Sequence, residues 1–110
     1  MKIDFANLRV AYDRHKEEFN KAIHDVISSA SYIMGPEIQV FEDKLASYTG
    51  SSHALTCSSG TDALLLALMS LDIKNGDEVI TSPFTFISTA ETIALLGAKP
   101  VFVDIKEDTY

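Results

Sequence analysis

The stretch His53-Ala54-Leu55-Thr56-Cys57-Ser58-Ser59-Gly60-Thr61-Asp62-Ala63-Leu64-Leu65-Leu66-Ala67-Leu68-Met69 decides how the rest of the chain is read. A short apolar run, His53–Cys57, breaks at a polar turn, and a second apolar run follows at once. The first reads as a strand. The second, Thr61–Leu71, reads as a helix that is apolar on all sides and so needs cover on more than one of them. A strand that passes through Ser-Ser-Gly-Thr into a helix is the entry to an α/β unit.

Downstream the alternation continues. Glu78–Thr81 reads as a strand, Thr85–Leu96 as a helix and Pro100–Ile105 as a strand, with turns at Lys74-Asn75-Gly76-Asp77 and Gly97-Ala98-Lys99. The order is βαβαβ, which predicts right-handed crossovers, parallel strands and helices on both faces of the sheet. Three strands are too few to cover the Ala63–Met69 helix, so the run is expected to be the front part of a larger α/β domain.

Upstream the period changes to that of helices. Phe19, Ile23, Val26 and Ile27 recur on one face of a predicted helix over Tyr12–Ala30, with His15, Lys16, Glu17, Glu18 and Lys21 on the other. Pro36 suits the first position of a second helix with the apolar row Ile38, Phe41, Leu45 and Tyr48, and Gly50 ends it. The expected division is a helical arm over residues 1–52 and the start of an α/β domain over 53–110. The arm is expected to pack on other parts of the fold or on a second subunit.

Composition narrows the function classes. The 110 residues carry 16 acids against 9 bases, a formal charge of −7, and the bases are not clustered, which argues against a nucleic-acid or anionic-membrane surface. With 46% hydrophobic and 23% charged residues the chain has the make-up of a globular protein. Its longest apolar run, Ala63–Met69, is far short of the roughly 20 residues a membrane span needs, and the N-terminus lacks the shape of a signal peptide, so a cytoplasmic protein is expected. Cys57, the single cysteine, has no partner for a disulfide or a zinc knuckle and is expected to be a small core residue; no metal site is expected.

In an open α/β sheet, ligands gather at the carboxyl ends of the strands. There the turn Ser58-Ser59-Gly60-Thr61 opens a helix whose first N–H groups lack intrahelical partners and carry partial positive charge. Gly60 would let an anion approach the backbone, and Ser59 and Thr61 add hydroxyls. Ser59 is equally a good N-cap, and the spacing leaves both readings open. Asp62 counts against a phosphate unless its side chain finds its own hydrogen bonds. The turn is neither GxxxxGK[ST] nor GxGxxG, which disfavours a nucleotide P-loop or a dinucleotide site. The next strand end, Thr81-Ser82-Pro83-Phe84-Thr85-Phe86-Ile87-Ser88, offers two aromatics, one of which could stack on a flat ring.

Thr56–Ile105, TCSSGTDALLLALMSLDIKNGDEVITSPFTFISTAETIALLGAKPVFVDI, resembles the cofactor-binding segment of the DegT/DnrJ/StrS sugar aminotransferases, pyridoxal-phosphate enzymes of fold type I. IMGPEIQVFEDKLASYTGSSHAL (Ile33–Leu55) fits the same family, and IDFANLRVAY (Ile3–Tyr12) is similar to members that aminate UDP-linked 3-keto sugars, 3-keto-glucuronates included, for surface polysaccharides. The resemblance covers nearly all of the chain and only the family's N-terminal portion. It implies that Gly60 and Thr61 contact the cofactor phosphate, that Phe86 stacks on the pyridine ring, and that Met34, in the loop Tyr32–Gly35, lies near the sugar nucleotide. Phe84 matches a position that varies among relatives.

The resemblance further implies pyridoxal 5'-phosphate as cofactor, a nucleotide sugar and an amino-acid donor such as glutamate as partners, and a homodimer. It places the Schiff-base lysine and the aspartate that pairs with the pyridine nitrogen beyond Tyr110, so no catalytic residue is expected in these 110 residues, which are expected to be inactive alone. Other readings are a sugar dehydratase of the same family, in which histidine replaces that lysine, a non-catalytic regulatory module, and an α/β domain whose Ser-Ser-Gly-Thr is purely a cap.

Overall fold

The computed structural model describes residues 6–110, so Ile3, Asp4 and Phe5 of the Ile3–Tyr12 stretch lie outside the described residues. Its elements are α1 (Leu8–Arg14), α2 (Lys16–Ser29), α3 (Pro36–Thr49), α4 (Gly60–Ser70), β1 (Glu78–Thr81), α5 (Ser88–Leu95) and β2 (Lys99–Phe102). They fall into two compact units, Met1–Thr56 and Cys57–Tyr110. The expected division after residue 52 falls in the segment that closes the first unit.

In the first unit, the single helix expected over Tyr12–Ala30 is two. The chain leaves helical geometry at His15 (φ −121°, ψ 23°), whose N–H turns back to the Tyr12 carbonyl at 3.1 Å. Apolar spacing hides the break because side chains bridge it: the Tyr12 and Phe19 rings stack with centroids 6.1 Å apart, and the Tyr12 hydroxyl donates to Asn20 Oδ1 at 3.1 Å. Asn7 caps α1, its Oδ1 accepting from the Val10 N–H at 3.3 Å. Helix α3 forms as expected, with Pro36 in the first turn, where its missing N–H costs nothing, and Gly50 closing it in the left-handed region at φ 72°.

The segment His53–Cys57, expected to be a strand, is not one. Among the described residues it has no neighbour to complete a ladder, and the Thr56 N–H goes instead to the Glu42 carboxylate of α3 at 2.7 Å, with the Thr56 hydroxyl donating to the same oxygen at 2.8 Å. Cys57, expected in the core, is exposed for the same reason: it belongs to an irregular turn that no element covers.

In the second unit, β1 and β2 pair in parallel, from Glu78 opposite Lys99 to Thr81 opposite Phe102. The α/β class and the parallel pairing therefore stand, with two strands where three were expected. Helix α5 crosses between them and packs on both strands and on α4. Its Thr92 (0% exposed) and Ile93 (2%), with Ser88 and Ala98, are the buried residues of this unit. Helix α5 begins at Ser88, not Thr85, because Pro83 and the Ser82 hydroxyl, which accepts from the Phe84 N–H at 3.2 Å, hold the preceding residues in a turn. Strand β2 starts at Lys99 and ends at Phe102, after which Val103 still donates to the Thr81 carbonyl at 3.0 Å.

Both helices of this unit end in the same way. After α4, Asp72 (φ 58°) turns the chain and the Ile73 N–H reaches back to the Leu68 carbonyl; after α5, Gly97 (φ 76°) does so and Ala98 reaches Ile93. The Lys74–Asp77 turn follows directly, with Asp77 donating to the Lys74 carbonyl and its carboxylate accepting from the Lys74 N–H. The second reversal brings the end of α5 to the start of β2, so α5 runs away from the carboxyl edge of the strands and its N-terminus lies at that edge.

Helix α4 was expected to be covered on several sides. Thr61, Leu65 and Leu68, one stripe at i, i+4 and i+7, are half-buried and form the face turned to α5, its packing partner. Leu64, Leu66 and Met69 on the other sides are exposed.

Gly35 is the tightest backbone position. It is buried, and a Cβ there would stand 2.6 Å from the Ser31 carbonyl oxygen, a backbone atom that cannot swing away. In the full-length gene product Gly35→Ala is expected to lower stability by about 1–3 kcal/mol, the usual cost of overpacking, whereas Gly50→Asn, at a left-handed position with open space around it, costs under about 1 kcal/mol. Urea unfolding of the two variants checks the ranking.

Candidate functional site

The site is built from the turn that starts α4. Ser59 is in extended geometry (φ −159°, ψ 166°), and its Oγ accepts from the Asp62 N–H at 3.1 Å, so it is the N-cap. The cap is worth about 1 kcal/mol to the helix. The Ala63 N–H is taken by the Ser59 carbonyl at 3.0 Å. Of the first four N–H groups of the helix, those of Gly60 and Thr61 therefore have no partner among the described residues. The Thr61 hydroxyl has none either. A Cβ added at Gly60 would meet nothing within 4 Å, so the backbone on that side is open to an approaching group.

Asp62 is the residue that spacing alone explained least, and its geometry resolves the difficulty. Its carboxylate accepts from the Ser59 hydroxyl at 3.0 Å and from the Ser58 hydroxyl in a short hydrogen bond. These two bonds, Ser58 first, hold its pKa below the ordinary value of 3.8. The negative charge is spent on two serines of its own turn, and Ser59 is bound to Asp62 in both directions. The signal was present in the sequence as Ser-x-x-Asp, the spacing of a capping box with aspartate in place of glutamate.

Two donors in tandem, a neighbouring hydroxyl and positive helix-end charge on an open side of the backbone offer an anion hydrogen bonds and favourable charge. Such contacts are compatible with the cap, which uses the Asp62 N–H and leaves the two before it. Phe86 lies in the loop before α5, at the carboxyl end of β1, with 74% of its surface exposed. Gly60, Thr61 and Phe86 therefore belong to one unit, in which α4 packs on α5, the helix that follows Phe86. Phe84, in the same loop, is exposed as well. Met34 belongs to the first unit; it is exposed, in the left-handed region at φ 50°, between Tyr32, whose hydroxyl donates to the Ile27 carbonyl at 3.1 Å, and the buried Gly35.

Among the described residues no group of three or more His, Cys, Asp or Glu side chains is placed to hold a metal ion, and no helix is long and apolar enough to cross a membrane.

The depressed pKa of Asp62 sets the sign of a pH effect. A carboxyl group whose folded value lies below its unfolded one stabilises the fold above the unfolded value, and that contribution is lost as pH falls through the folded value. The wild-type protein should therefore exceed Asp62→Asn in stability at neutral pH, and the gap should close as pH falls below 3.8. Urea midpoints of both proteins across that range measure it, and a gap independent of pH would exclude the assignment.

The chain matches the DegT/DnrJ/EryC1/StrS aminotransferase family over residues 13–110. It is 46% identical over 108 residues to UDP-2-acetamido-2-deoxy-3-oxo-D-glucuronate aminotransferase of Pseudomonas aeruginosa, a match that covers 98% of this chain and 30% of that protein. Among solved structures, a DegT DnrJ EryC1 StrS aminotransferase from Brucella abortus superimposes with a TM-score of 0.94 at 43% identity, covering 99% of this chain and 29% of the other. S. venezuelae DesV, solved in complex with a ketimine intermediate, gives 0.92 at 40% identity, covering 97% and 29%. The chain thus spans about 30% of the length of the relatives it matches. Aminotransferases of this family depend on pyridoxal phosphate. With the match running through α2 to β2 and the open start of α4 lying inside it, the chain belongs to the DegT/DnrJ/EryC1/StrS aminotransferase family.

Proposed function

We propose that the full-length gene product is a pyridoxal-phosphate-dependent aminotransferase that places an amino group, taken from glutamate, on a UDP-linked 3-keto sugar of the 3-keto-glucuronate type, for surface polysaccharide of the O-antigen or lipopolysaccharide kind. It works as a homodimer in the cytoplasm. The observation that carries the reading is the pair of N–H groups at Gly60 and Thr61, unpartnered among the described residues, at an open helix start within the family match. The similarity to the P. aeruginosa enzyme supports the choice of sugar.

The bound cofactor supplies an electron sink that lets nitrogen pass from an amino acid to a keto carbon. The part of this chain is to hold it. The Gly60 and Thr61 N–H groups and the Thr61 hydroxyl donate to the phosphate, and the positive end of α4 offsets its charge. Asp62 keeps the Ser58 and Ser59 hydroxyls turned to itself, so the cradle consists of donors that need not rearrange. Phe86 would stack on the pyridine ring of the bound cofactor. Met34 contacts the sugar nucleotide. In this reading the lysine that binds the cofactor covalently is not among residues 1–110, which alone turn over no substrate.

The full-length gene product, incubated with pyridoxal phosphate, glutamate and a UDP-linked 3-keto sugar, should yield the amino sugar by mass spectrometry. A dehydrated sugar in its place would assign the dehydratase reaction, and no product from any nucleotide keto sugar would exclude enzymatic function of this kind. Thr61→Val removes one donor to a charged phosphate and should weaken cofactor binding by about tenfold while leaving the fold intact. Absorbance titration with pyridoxal phosphate reads the change.

A further inference from the structure

Ser58–Asp62 is one continuous turn within the second unit, and the hydrogen bonds that join its side chains are local to it. The Asp62 carboxylate accepts from both serine hydroxyls, and the Ser59 Oγ in turn accepts from the Asp62 N–H at 3.1 Å. Bonds from neutral hydroxyls hold the carboxylate ionised and leave its unit charge in place, next along the helix from the Gly60 and Thr61 N–H groups. That charge is favoured by the positive end of α4, as a bound anion is, so the acid and an anion draw on the same helix-end charge and repel each other. The Ser58 and Ser59 hydroxyls, engaged with Asp62, are withheld from such an anion as well. The Ser59 cap itself uses only the backbone N–H of residue 62 and does not need the carboxylate.

We propose that Asp62 is a specificity-determining residue that stabilises the start of α4 and, by its charge and its hold on the two serines, restrains the affinity of that turn for a phosphate. The proposal rests on the reading of Gly60 and Thr61 as phosphate ligands and adds a residue that acts against their contact. A residue that served order alone would raise stability and affinity together, because a better ordered turn holds its donors better. Asp62 moves the two in opposite directions.

That opposition provides the test. Affinities for pyridoxal phosphate and for pyridoxal, which brings no phosphate charge to the turn, are measured by absorbance titration of the full-length gene product freed of cofactor, alongside urea midpoints. Asp62→Asn removes the charge and keeps an acceptor oxygen. It should tighten pyridoxal phosphate about fivefold and change pyridoxal by less than about twofold, although it is the less stable protein at neutral pH. Asp62→Glu keeps the charge and should leave the ratio of the two affinities within about twofold of the wild-type value. Ser58→Ala removes a hydroxyl that faces Asp62 and not the phosphate, and should also leave that ratio within about twofold. Where Asp62→Asn does not fold, Asp62→Ser, uncharged and with an acceptor oxygen, decides by the same ratio.

An unchanged or smaller preference for pyridoxal phosphate in Asp62→Asn overturns the proposal, as does an equal gain in Asp62→Glu or a several-fold loss in Ser58→Ala. A wild-type protein with no preference for pyridoxal phosphate over pyridoxal would instead overturn the cofactor reading itself, and this proposal with it.

Discussion

The second unit depends on the burial of one turn of α5. Thr92 and Ile93 are its two most enclosed residues, and the Thr92 hydroxyl, shut away from water, meets its requirement by donating to the Ser88 carbonyl at 2.9 Å within the same helix. Because that bond is internal, the helix can press an apolar and a polar side chain together against the strands with no unsatisfied group left over. Strand pairing, the seating of α4 on α5 and the direction in which α5 leaves the carboxyl edge follow from it. Exposed ion pairs add little. Lys99 and Glu78, opposite one another on the two strands at 2.7 Å, raise the lysine pKa through hydrogen bonding and charge, but water screens the pair.

Given that frame, the start of α4 presents an unusual division of labour. Ser59, Asp62 and Ser58 satisfy one another, which stabilises the helix, and the N–H groups of Gly60 and Thr61 are left without a partner among the described residues. A cap that consumed every donor would have made a better helix end and no site. A glycine at the first helical position is a poor choice for helix stability and a good one for letting another molecule reach the backbone. The acid in this turn follows the same logic, since its carboxylate, held in the ionised form, accepts hydrogen bonds from the neighbouring hydroxyls.

Several features were legible in the chain before its fold was known. Helix α3, with Pro36 at its start and Gly50 at its end, and strand β1 lie where the spacing put them, because their signals are local: a fixed proline φ, a left-handed glycine, a run of β-branched residues. The break at His15 was invisible, since Tyr12 and Phe19 keep the apolar period across it. The start of α5 was misplaced by the serine turn before it, which competes for backbone donors that helix propensity assumes are free.

The sequence alone determined the α/β class, the parallel strand order and the place of the Ser-Ser-Gly-Thr turn at a helix start, which rest on periodicity and on residue types at short spacing, and its resemblance to known relatives gave the family. Tertiary structure decided three things. Thr56 bonds to Glu42 and not to a strand, Asp62 turns to its serines and not to the open side of the turn, and the N–H groups of Gly60 and Thr61 are the ones left without a partner among the described residues. Each depends on which of several chemically equivalent partners lies within about 3 Å, and that distance exists only after the chain has folded.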